Sequence, residues 1–107
     1  MAESSKAIID RAGDNINILY ISVANNLSVD CDCVAHPAPV QMADIGIFAS
    51  LDPVALDRAC VDAVHNSPDH GKIHMEQRIA ERNGMHLLDY AESLGIGTQK
   101  YVLITIE

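Results

Sequence analysis

Asp44-Ile45-Gly46-Ile47-Phe48-Ala49-Ser50-Leu51-Asp52-Pro53-Val54-Ala55-Leu56-Asp57 changes periodicity halfway along, and that change decides the fold. Residues 44–50 predict a strand, with Gly46 marking close backbone packing or a bulge. Asp52-Pro53 then predicts a helix start. A carboxylate can accept the unpaired backbone N–H groups of the first turn, and proline suits the first helical position. Leu56, Ala59, Cys60, Ala63 and Val64 follow at the spacing of one apolar helical face. Arg58 and Asp62 lie four apart on the opposite face. Cys60 reads as core filler. Asp57, beside Leu56 and Val61, is either partly enclosed or a solvated charge near a helix start.

Upstream lies Asp30-Cys31-Asp32-Cys33-Val34-Ala35-His36, inside a segment, 25–43, that has no regular period and contains two prolines. A loop this long in a small domain is usually functional. Before it, residues 15–24 hold apolar side chains at both parities, which predicts a strand covered on both faces. A short amphipathic helix ending at Gly13 precedes that. The two strands lack a crossover helix between them, so an antiparallel pairing is expected, with Asp44 returned to the cysteine loop. Downstream, helices are expected over 72–83 and from Met85 or His86 to Leu94, the second stopped by Gly95 with Ile96 as its apolar contact. Residues 101–106 predict a third strand. The expectation is one domain over 1–107, of α/β class: a small mixed three-stranded sheet, about four helices and a long cysteine-bearing loop. Three strands are few for two covered faces, so some edge or face should await a partner.

The chain has 107 residues, 49% of them hydrophobic, and a formal charge of −8. That apolar fraction argues against disorder. The acidic balance and the scattered basic residues argue against a nucleic-acid partner. No apolar run reaches membrane-spanning length and the first residues do not resemble a signal peptide, which together suggest a cytoplasmic protein without a membrane partner. Three cysteines, two of them one residue apart, make a poor disulfide framework and suit free thiols or a metal.

In an extended segment Cys31 and Cys33 project to the same side. Thiolate with imidazole suits zinc or iron, and His36 is the nearest third ligand. The fourth is open between Asp44, a distant histidine, water and a group from elsewhere. The plainer alternative is a polar loop with inert thiols. A Cys31–Cys33 disulfide would be strained. His65, His70, His74 and His86 read as a surface rim. Asp30-x-Asp32 fails as a calcium loop, because Ala35 and Gln41 occupy its sixth and twelfth positions. Phosphate-binding and nucleophile-elbow motifs are lacking.

Asp30-Cys31-Asp32-Cys33, Asp44-Ile45-Gly46-Ile47, Ser50-Leu51-Asp52-Pro53-Val54-Ala55-Leu56-Asp57 and Tyr90-Ala91-Glu92-Ser93-Leu94-Gly95-Ile96-Gly97 resemble the C-terminal part of the uncharacterised Fe-S centre proteins, domain of unknown function 362. The resemblance extends over nearly the whole chain. Family members are usually longer, with an N-terminal α/β portion and often a ferredoxin-type cysteine cluster. The resemblance therefore implies a C-terminal module whose partner is a missing N-terminal family module. Cys-x-Cys cannot supply the four thiolates of a cubane, so a complete 4Fe-4S cluster is not expected.

The favoured function is a metal-binding or redox-associated module of unknown activity, with Cys31, Cys33, His36 and Asp44 holding zinc or iron. The alternative is a non-catalytic structural or assembly domain that dimerises. A homodimer is the expected assembly, burying apolar rather than charged surface.

Overall fold

A computed structural model describes residues 1–14, 17–30 and 33–106. The element order is α1 (Ala2–Ala12), β1 (Tyr20–Ala24), β2 (Gly46–Ser50), α2 (Pro53–Asn66), α3 (Lys72–Glu81) and α4 (Met85–Ser93). This is an α/β fold with four helices and, among the described residues, one two-stranded antiparallel sheet. The expected mixed three-stranded sheet is corrected. Residues 101–106 are not a strand, and none of them makes a backbone hydrogen bond to a described residue. Their start is held by side chains instead. Tyr101 Oη donates to Asp62 Oδ2 of α2 at 2.6 Å. Beyond it, Val102, Ile104 and Ile106 are 88%, 79% and 92% exposed. A β-prone sequence still needs a free edge within reach, and strand propensity follows that context.

The strands pair in the register Tyr20↔Ser50, Ser22↔Phe48 and Ala24↔Gly46 on one face, Ile21↔Ala49 and Val23↔Ile47 on the other. The first face packs on α2. The second faces solvent, with Ile21, Val23 and Ile47 each about 60–70% exposed. The expectation that the first strand is covered on both faces is therefore also corrected. The part of that strand at Asn15 and Ile16 lies outside the described residues. Gly46 opens β2 at φ 145, with nothing within 4 Å of a Cβ placed there. Its role is the backbone angle itself rather than close packing.

The N-terminus of α2 organises the molecule. Asp52 Oδ1 accepts from the N–H of Val54 at 2.9 Å and of Ala55 at 3.0 Å, while Pro53 needs no donor partner. Asp52 Oδ2 accepts from Thr98 N–H at 2.9 Å. A Cβ at Gly97 would collide with this carboxylate, so the turn after α4 closes only because that residue is glycine. At the end of α4, Ile96 N–H donates to Ala91 O at 3.2 Å and Ile96 packs against the core. That core is small. Ala2, Val54, Leu88 and Ala91 join α1, α2 and α4, supported by Met85, Leu94 and Ile96. The radius of gyration is 14.7 Å, against about 13 Å for a compact chain of this length.

Candidate functional site

The cysteine loop is anchored at both ends. At its base, Asn26 N–H donates to Asp44 Oδ1 at 2.7 Å and Ile45 N–H to Ala24 O at 2.9 Å. Further along, Gln41 N–H bonds Leu27 O, and Met42 is 4% exposed. Asp69, before α3, receives Ala43 N–H on Oδ2 at 2.9 Å and Gly71 N–H on Oδ1 at 2.6 Å. Those two backbone donors hold its carboxyl below the usual range. From α3, Arg78 Nη2 meets Asp30 Oδ2 at 3.0 Å.

Cys33 and His36 are exposed. Asp44 is exposed at the loop base, turned onto the Asn26 backbone. Cys31, expected as a leading ligand, lies outside the described residues, as does Asp32. Among the described residues no three His, Cys, Asp or Glu side chains gather as a metal site would require. The five histidines are all exposed. His65 Nδ1 pairs with Glu76 Oε1 at 3.1 Å, and His86 stacks on Tyr90.

A second region was not marked out by spacing. A groove of about 440 Å³ is lined by Tyr20, Ile21 and Ser22 of β1, by no described residue of β2, by Ile8 and Ile9 of α1 and by Leu56 of α2. Tyr20, Ser22 and Asp57 give it a few polar groups. Asp57 also borders a smaller depression of about 150 Å³ between α1, α2 and α4. Burial among these apolar walls pushes the Asp57 carboxyl up, although the residue stays open to water, which limits the rise. The half-buried Cys60 thiol is pushed up by burial, eased by a hydrogen bond from Ser22 and reinforced by the Asp57 charge. A raised thiol is a weak nucleophile, so this cluster does not have the character of an activated cysteine. The neighbourhood of Asp57 follows from α1, packed on α4, bordering the same groove as β1, a tertiary fact with no local sequence signal.

Apolar exposure is the largest feature. Leu19, Ile21, Val23, Ile47 and Leu51, on and beside the outer sheet face, are 59–69% exposed. Val102, Leu103, Ile104 and Ile106 are 60–92% exposed. None of these nine carries charge. Soluble monomers seldom leave a surface of this kind uncovered.

Fold and surface together define a small α/β module with a pinned cysteine loop and an uncovered apolar sheet. The family model described as Domain of unknown function (DUF362) matches residues 1–62, and the chain belongs to that family. The match lies in the N-terminal half of the chain and takes in the loop, both strands and the capped start of α2. It corrects the resemblance drawn above. The chain does not match as a C-terminal family part over nearly its whole length, and Tyr90-Ala91-Glu92-Ser93-Leu94-Gly95-Ile96-Gly97 falls outside the matched residues. No curated protein and no solved structure matches the chain. No helix among the described residues is long and apolar enough to cross a membrane.

Proposed function

We propose that the chain is an assembly module that works as a homodimer, covering its uncharged sheet face and its C-terminal residues with a second copy. The supporting observation is the run of nine exposed large apolar side chains on a molecule of charge −8. Each of the nine is 59–92% exposed, and a standard interface covers ~800 Å² per partner. Two copies of equal charge repel wherever acidic faces meet, so the uncharged patch is the favourable contact. Light scattering on dilute protein tests this. A dimer at micromolar concentration is expected, and a clean monomer sinks the proposal.

A second reading concerns the loop, which its anchors hold in place while leaving Cys33 and His36 accessible. In this reading Cys31, Cys33, His36 and Asp44 bind zinc or iron, completed by water or by a group from the second copy. Metal analysis after anaerobic purification should find stoichiometric zinc or iron, lost when Cys31 and Cys33 are both changed to Ser. Metal-free native protein would rule it out without touching the dimer.

A further inference from the structure

We infer that the second copy covers the molecule by exchanging strands: residues 102–106 of each chain enter the groove beside the free edge of β1 in its partner. The inference rests on the homodimer proposed above and specifies how it closes.

The acceptor is an open edge inside a groove. β1 pairs with β2 along one side only. Three consecutive β1 residues, Tyr20, Ile21 and Ser22, line the 440 Å³ groove together with Ile8 and Ile9 of α1 and Leu56 of α2, and no described β2 residue does, which points to the side of β1 away from β2. Unpaired N–H and C=O groups along such an edge recruit an extended chain, and side pockets then select its side chains. The groove is mostly apolar, and Asp57 is the one carboxylate among the described residues that line it.

The donor is in the same sequence. Residues 102–106 make no hydrogen bond to any described residue through their backbone. Val102, Ile104, Thr105 and Ile106 are β-branched, the class that fits a pleated surface. At about 3.3 Å per residue, five residues span about 17 Å, so residues 102–106 match the five residues of β1 in length. The segment 101–106 carries no charge. Its entry therefore sets an uncharged strand beside the single carboxylate of the groove, whereas most other contacts between the two copies would oppose like charges.

Geometry directs the donor outward. Tyr101 is fixed to Asp62, and Gln99 accepts from Arg58 Nη1 at 3.1 Å, both on α2 beyond the groove residues Pro53, Leu56 and Asp57. From there the segment leaves its own surface, ending with Ile106 at 92% exposure. Exchange of an identical element between copies then gives a closed two-fold dimer, each copy giving and receiving one strand. Within one chain the sheet remains two-stranded.

The test joins light scattering to amide hydrogen exchange on the full chain, beside Ile104→Pro. Ile104 is 79% exposed and its loss leaves the described fold untouched, while proline removes a strand N–H and is poorly tolerated in a paired strand. The expected result is a dimer in which the alternate amides of 102–106 that face β1 are protected, with the dissociation constant raised at least about tenfold in Ile104→Pro. A dimer with those amides unprotected, or an Ile104→Pro protein that dimerises as the wild type does, overturns strand exchange and leaves the homodimer standing. A monomer, with or without a protected C-terminus, overturns both.

Discussion

Asp52 joins two segments through its carboxylate and a third through its backbone N–H. Oδ1 serves the first turn of α2, Oδ2 serves Thr98, and the residue's own N–H donates to Ser50 Oγ at 3.0 Å. Asp52→Ala should lower stability by about 1–2 kcal/mol, since the loss includes a helix cap and a long-range hydrogen bond. Asp52→Asn should fall between the two, because an amide keeps one acceptor oxygen and its nitrogen cannot accept from Thr98. Urea midpoints check both, and an unchanged midpoint for Asp52→Ala refutes the assignment. Asp69 supplies a pH signature. Its folded pKa lies below its ordinary 3.8 because Gly71 and Ala43 donate to the charged form. The native state thus binds that proton less readily than the unfolded chain. Its stabilisation is present above the unfolded value and is lost as pH falls through the folded one. Asp69→Asn should therefore lower stability at neutral pH and flatten its fall in acid. Parallel acid limbs for the two proteins would contradict this.

At the scale of elements, the loop 25–45 shows what a single arginine contributes. The Asp30–Arg78 pair joins it to α3 across 48 positions, with side chains 48% and 32% exposed. Such a pair is worth about 0–1 kcal/mol. Arg78→Ala should barely move the global unfolding midpoint, yet it should speed amide exchange in the loop, because the loop opens locally rather than with the whole molecule. Equal exchange rates would mean that the other anchors, at Asp44, Gln41, Met42 and Asp69, hold it without the arginine. The helices and the Asp52 cap were legible because each has a local cause: an apolar face at helical spacing, a carboxylate before proline, a glycine after Leu94. The β1–β2 antiparallel pairing was legible from the missing crossover. Residues 101–106 were misread because propensity carries no information on whether an edge is within reach. The burial of β1 was misread because apolar residues at both parities look alike whether a second layer covers them or not. Within the candidate sites, the metal set rested on spacing in one loop, whereas the Asp57 groove forms only when α1, β1 and α2 come together.

For the whole molecule, charge and exposed apolar surface act against each other. Each copy carries 15 acidic against 7 basic residues, so bringing two together costs electrostatic work that grows as salt is removed. The Debye length falls from roughly 30 Å at 0.01 M salt to roughly 8 Å at 0.15 M and 3 Å at 1 M. A dimer held by charge complementarity weakens along that series. One held by apolar side chains and backbone pairing tightens, because screening removes repulsion and leaves burial intact. The dissociation constant should therefore fall several-fold between roughly 0.01 M and 0.15 M sodium chloride, with most of the change complete once the Debye length is shorter than the molecule. Sedimentation equilibrium across the series measures it. Association that weakens steadily with salt would place charged surface in the interface, and the uncharged sheet face and C-terminal segment would then be covered by something other than a second copy.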